Sequence, residues 1–191
     1  MKKLIASILT TFFFLTALHA QETYSFAEGS EVKVDGSSTL SDWSVPVKQM
    51  EGKMALSEGF SGKEGEEVKD ILIVMEVKSM EGRGPDMNEK IYKAFKAEEF
   101  PQIVFEAASA KCVQASGGTF KLSSTGSLKM AGKSKEIILL LEGKKAGKGF
   151  EFWGSHTLDM TTYGMEPPTA FFGSLEVEKE VNVIFKILVN T

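Results

Sequence analysis

Apolar and polar side chains alternate along most of the chain. Between residues 181 and 189, Val181, Val183, Phe185, Ile187 and Val189 share one face, with Asn182 and Lys186 on the other. A period of two marks a strand with one face buried. The same spacing turns Ile103, Phe105 and Ala107 inward against Gln102, Val104 and Glu106, and Phe120 and Leu122 inward in segment 119–124. Phe150, Phe152, Gly154, His156, Leu158 and Met160 lie opposite Glu151, Trp153, Ser155, Thr157 and Asp159. Segments 31–35, 43–48, 67–79, 128–130 and 136–142 also have strand character, which makes about eight strands in all.

Breakers separate them: Glu28-Gly29-Ser30, residues 57–65, Ser116-Gly117-Gly118, Ala131-Gly132-Lys133 and Ala146-Gly147-Lys148-Gly149. Most are short enough to join antiparallel neighbours. One stretch has a helical period instead. Met87, Ile91, Ala94 and Phe95 form a stripe, Asp86 with Glu89 three residues on resembles a capping box, and Pro101 ends the element. The pattern predicts an all-β, antiparallel fold with one α-helix between the third and fourth strands. A sandwich and a closed barrel both satisfy it. Several segments are long, and closure removes the exposed edges of long strands, which favours the barrel. A barrel of about eight strands is either filled by side chains or holds one small ligand.

Residues 161–173, TTYGMEPPTAFFG, fit neither period. Pro167 and Pro168 lack backbone donors and belong in a loop or at a strand edge. The apolar side chains around them allow three readings: a plug for the core, the mouth of a ligand cavity, or a patch for a partner.

The chain starts Met1-Lys2-Lys3, followed by an uncharged apolar run from Leu4 to Leu18 and then His19-Ala20. That is the pattern of a secretory signal peptide, shorter than a membrane-spanning helix. Cleavage near Ala20 leaves residues 21–191 as one domain, periplasmic or secreted. The mature chain has 20 basic and 26 acidic residues, a net charge of −6. Its lysines are interleaved with glutamates, so nucleic acid and anionic membrane surfaces are poor partners. Cys112 is the only cysteine, and His156 is the only histidine left after cleavage. These counts remove an internal disulfide, a zinc cluster and a histidine-based triad. Cys112 reads as a buried strand residue, with an intermolecular bridge, and so a homodimer, as the alternative. Asp159 and Glu166 stand seven residues apart and make no acid–base pair. Nucleotide and nucleophile-elbow motifs are missing, so neither a catalytic residue nor a metal or cofactor site is expected. An integral outer-membrane barrel is disfavoured by the Glu and Lys at outward strand positions, the charged helix, and an ending without a terminal aromatic.

Four blocks of sequence carry a resemblance: Gly36-Ser37-Ser38-Thr39-Leu40-Ser41-Asp42-Trp43; Lys93-Ala94-Phe95-Lys96 running into Phe100-Pro101-Gln102-Ile103-Val104-Phe105; Gly126 to Lys135; and Leu158-Asp159-Met160-Thr161 through Gly164 and Pro167-Pro168 to Gly173. In this order, over nearly the whole mature chain, they resemble the YceI-like family. Members often carry a histidine before the Asp-Trp pair, where this chain has Ser41. The resemblance implies a lipocalin-like antiparallel barrel whose elongated interior holds a polyisoprenoid or a similar long-chain, quinone-like lipid. It thus implies a non-enzymatic carrier or sequestering protein, with a filled envelope module as the alternative.

Under that reading the apolar cavity or its mouth draws on Trp43, Phe95, Phe105, Phe152, Met160, Tyr163, Met165, Phe171 and Phe172. Each has a plainer role beside it. Trp43 reads equally as core packing, Phe95 as a plug of the barrel, and Tyr163 with one phenylalanine as packing against the barrel end. Arg83, the only arginine, is a solvated loop residue or a contact for a phosphate or quinone head group. His156 is a hydrogen-bonded structural histidine or a contact to a ligand oxygen.

Overall fold

Strand residues of alternating character have one apolar face to hide, and here a single sheet hides it by curling on itself. The computed structural model describes residues 21–170 and 174–190. The strands are β1 (Gln21–Ser25), β2 (Glu31–Ser38), β3 (Trp43–Val47), β4 (Met50–Ser57), β5 (Glu67–Glu76), β6 (Gln102–Ser116), β7 (Thr119–Met130), β8 (Lys133–Ala146), β9 (Gly149–Asp159), β10 (Thr169–Ala170) and β11 (Leu175–Asn190), and helix α1 (Pro85–Phe95) lies between β5 and β6. Along the sheet they run β1-β4-β5-β6-β7-β8-β9-β11-β2-β3, with β10 paired to β11 at the side. All the pairings are antiparallel.

The class is as the pattern predicts, but there are eleven strands rather than about eight. β1, QETYS, has too few apolar residues to show a period. In β4 a register shift between Lys53 and Ala55 breaks the alternation, so that Met54, Ala55 and Leu56 are buried in succession. Segments 119–124 and 128–130 are one strand, β7, because Ser124 and Gly126 fill two of its inward positions. The helix therefore follows the fifth strand, not the third.

The capping box is not used. Gly84, at φ 103°, is the N-cap and Pro85 opens the helix, a position where a missing N–H costs nothing. The helix stops at Phe95 because Lys96 turns left-handed, well before Pro101. Met87, Ile91, Ala94 and Phe95 pack on the core. The Tyr92 hydroxyl donates to the carbonyls of Lys78 (2.9 Å) and Met80 (3.2 Å), pinning the helix across one end of the barrel.

Two isolated bridges tie the edges of the curled sheet, one from just after β1 to β11 and one from β3 to the segment after β5. Phe26 bridges Val189, and Ala27 N–H donates to Leu188 O at 2.7 Å. Val47 bridges Met80, with Lys48 N–H donating to Ser79 O at 3.1 Å.

The β4–β5, β6–β7 and β8–β9 connections share the closed end. There Phe60, Phe120, Phe150 and Phe152 form an aromatic floor with ring centroids 5.1–6.2 Å apart, mostly edge to face, the separation at which aromatic pairs attract. Gly62, at φ 76°, and Gly143 lie where a Cβ would collide with the Phe120 ring. The Glu66 carboxylate holds the loop under the floor, accepting from Ser61 N–H (2.9 Å) and Lys63 N–H (3.0 Å). Burial opposes its charge, but these backbone donors outweigh burial and hold the carboxyl below its ordinary range. Cys112 is 1% exposed and donates from Sγ to Gly62 O at 3.1 Å, and burial pushes the thiol up. An intermolecular disulfide has no access to it.

Two outcomes follow from this floor. Phe120→Ala should lower unfolding stability by about 3–5 kcal/mol in chemical denaturation, and Gly62→Ala should destabilise through both the clash and its positive φ. Because the folded state lowers the Glu66 pKa, its contribution is present above the ordinary glutamate value, about 4.3, and is lost as pH falls through the folded value. The stability gap between wild type and Glu66→Gln, measured by denaturation at several pH values, should therefore shrink on acidification.

Candidate functional site

Above the floor the inward side chains do not meet. They leave a cavity of about 490 Å³, so the interior is not filled. Its wall is apolar: Val34 and Val45 from β2 and β3, Ile71 and Ile73 from β5, Phe105 from β6, Leu122 from β7, Ile137 and Leu139 from β8, and Val183 and Phe185 from β11. Phe152 lines its lower part, and Met87, Ile91, Ala94 and Phe95 of the helix cover it. Phe95 thus plugs the barrel end and lines the cavity at once.

Polar lining residues gather at the end opposite the floor, beside the helix. Ser38 comes from the end of β2, Ser41 and Asp42 from the β2–β3 loop, Arg83 from just before the helix, Asp86 from its first turn, Lys90 from its next turn, and Thr169 from β10. The mouth therefore mixes two cations with two carboxylates. Ser124, deeper in, is already satisfied by donating to Ser109 O at 3.0 Å.

Trp43 closes the side of the mouth. Its indole N–H donates to Ser37 O at 3.2 Å, and its ring lies over Gly36, where any Cβ would collide with it. The polar edge is thereby tied off and the ring faces the cavity. His156 also lines the cavity, and its pKa is lowered, with burial the sole cause and no hydrogen-bonding partner contributing. The imidazole thus stands partly buried in the cavity wall, the position that its reading as a ligand contact requires.

Residues 161–170 are anchored at the mouth. Asp159 accepts from Thr161 N–H (2.9 Å) and Thr161 Oγ1 (2.6 Å), and pairs with Lys179 at 2.8 Å. The Lys179 ammonium, joined by the threonine, brings its carboxyl down to about 2. Further on, Lys90 Nζ donates to Thr169 O (2.9 Å), and Thr39 N–H donates to Glu176 O (3.0 Å). Met160, Met165 and Pro168 line the cavity. Tyr163, 2% exposed, is packed into the core and is not a lining residue. Phe171 and Phe172 lie outside the described residues.

Lys90 was not singled out by sequence reasoning, although it adjoins Ile91 at the border of the apolar stripe, where a charged side chain meets a rim. Asp42 entered only as part of the block Gly36–Trp43 and was given no role of its own. No group of three or more His, Cys, Asp or Glu among the described residues could hold a metal ion. None of the described helices is long and apolar enough to cross a membrane.

Known proteins share this architecture. The YceI-like domain model matches residues 15–189. BcnA of Burkholderia cenocepacia is 19% identical, with 85% of this chain and 96% of that one covered and a TM-score of 0.66. A polyisoprenoid binding domain from Saccharophagus degradans, implicated in plant cell wall breakdown, is 13% identical, with 88% and 98% covered and a TM-score of 0.66. The YceI protein of Campylobacter jejuni is 15% identical, with 76% and 82% covered and a TM-score of 0.59. No curated protein matches. At such identities the solved structures establish the fold, while the family model spans nearly the whole chain. The chain belongs to the YceI-like domain family.

Proposed function

We propose that this protein is a non-enzymatic carrier or sequestering protein that holds a polyisoprenoid or similar long-chain lipid in its barrel, in the periplasm or outside the cell after loss of residues 1–20. One observation carries the reading: an apolar cavity of about 490 Å³ is closed at one end by aromatic rings, with charged groups confined to the other. Its size falls in the range of small-molecule sites, roughly 300–1,000 Å³. Burial of each methylene contributes roughly 0.8 kcal/mol, so a long chain is held with few polar contacts. The Saccharophagus domain of the same fold is described as polyisoprenoid binding. Arg83 and Lys90 at the mouth suit the oxygens of a head group.

Protein exported by its natural signal and purified without detergent should yield an isoprenoid or acyl species on organic extraction and mass spectrometry. A long-tailed quinone should quench Trp43 but not Trp153, which stands on the outer face near Lys144. Quenching should persist in Trp153→Phe and vanish in Trp43→Phe. No extracted lipid together with no quenching of Trp43 would sink the proposal.

His156 makes retention pH-dependent. Its lowered pKa means that the neutral form belongs to the folded state, and that stability is lost as pH falls through the imidazole range, below about 6.5. Release of bound quinone should therefore rise on acidification in wild type and stay flat across that range in His156→Phe.

A further inference from the structure

β8 and β9 are hydrogen-bonded neighbours only from the Leu141–Gly154 pair to the Ala146–Gly149 pair, next to the floor. Above that point, residues 133–140 of β8 remain paired to β7 and residues 155–159 of β9 to β11. The two facing edges have no partner strand among the described residues. The break lies in the cavity wall, for Ile137 and Leu139 line the cavity on one side of it and His156 and Leu158 on the other.

Within the free half of β8, residues 137–140 are apolar on both faces. Ile138 and Leu140 are 62% and 67% exposed, whereas their outward neighbours in register on β7 are Thr125 and Ser123. An unpaired apolar edge is a liability that folds ordinarily cover or charge. Here the lysines at 133 and 135 reach only its top. The mouth, meanwhile, is set with Arg83, Lys90, Asp42 and Asp86, and a long apolar tail threaded through it would have to pass all four charges. A tail sliding in sideways would pass Ile138 and Leu140 on the β8 side and none of the four charges, with its head group left in water.

We propose that the interrupted seam between β8 and β9 is a lateral slit through which a long apolar chain enters the cavity side-on, with Ile138 and Leu140 as its lip. The inference rests on the carrier reading. Unpaired edge N–H and C=O groups need water as a partner, and a slit admits it where a closed wall would not.

Continued past Leu141–Gly154, the register brings Ile138 opposite Thr157, both exposed. The double variant Ile138→Cys with Thr157→Cys locks the seam by oxidation or, across a wider gap, by a bismaleimide. Cys112, buried, does not compete. Stopped-flow quenching of Trp43 then compares a long-tailed quinone with the same head group lacking a tail. Locking should slow the long-tailed quinone by about tenfold or more, as when binding must wait for a conformational change, and leave the tailless one unchanged. Amide exchange on the unmodified protein supplies an independent reading: amides on the facing edges of 137–140 and 155–158 should exchange far faster than those of 141–146. Equal protection of the two sets, or long-tail quenching indifferent to the lock, overturns the slit and leaves the carrier reading standing. Absence of quenching in every form overturns the carrier reading and the slit with it.

Discussion

The whole molecule answers to one constraint: a broad sheet has an apolar face that no second layer covers. Among the described residues one short α-helix is available, far too small to shield the inward residues of the ten strands along the sheet. The hydrophobic effect therefore bends the sheet until its own far side becomes its cover. A barrel of that girth encloses more volume than Val, Ile, Leu and Phe side chains can occupy, and the remainder is the cavity. The polar groups of the interior go where water reaches them, at the open end.

Stability and openness are thus separated along the barrel axis. Four phenylalanine rings, two glycines that make room for them and a carboxylate that holds the loop beneath all gather at one end. At the other end the structure is held by a few tethers: the Asp159–Lys179 pair, the Lys90 bond to Thr169 O, and the Thr39 bonds to the strand that follows. Apolar packing at the floor costs a few kcal/mol per ring to disturb, while exposed tethers are weak individually. Movement is accordingly easiest where the cavity meets solvent.

Much of this was legible in the chain because inward parity survives folding. Phe105, Phe152, Met160, Val183 and Phe185 are inward by alternation alone and line the cavity. The helix stripe likewise points where its period directs it. What escaped was whatever broke a period: β4 with its bulge, β7 with serine and glycine at inward places, and a helix capped by glycine rather than by a side chain. Tyr163 packs into the core, the second of its two readings; an aromatic in a proline-rich loop looks the same in sequence whether it faces a cavity or a core. The interruption beside β8 was hidden for a different reason. Its run Ile137-Ile138-Leu139-Leu140-Leu141 has the composition of a strand buried on both faces, and nothing local distinguishes that from one with a missing neighbour.

Phe152 touches the aromatic floor with one side of its ring and lines the cavity with the other. Because its neighbours Phe120 and Phe150 back it from beneath, the ring cannot yield without disturbing the most tightly packed part of the molecule. The depth of the cavity is therefore tied to the folding stability of the chain. On the proposed carrier reading, a chain lying in the cavity meets a fixed stop there, and the barrel would act as a ruler, selecting by length as well as by greasiness.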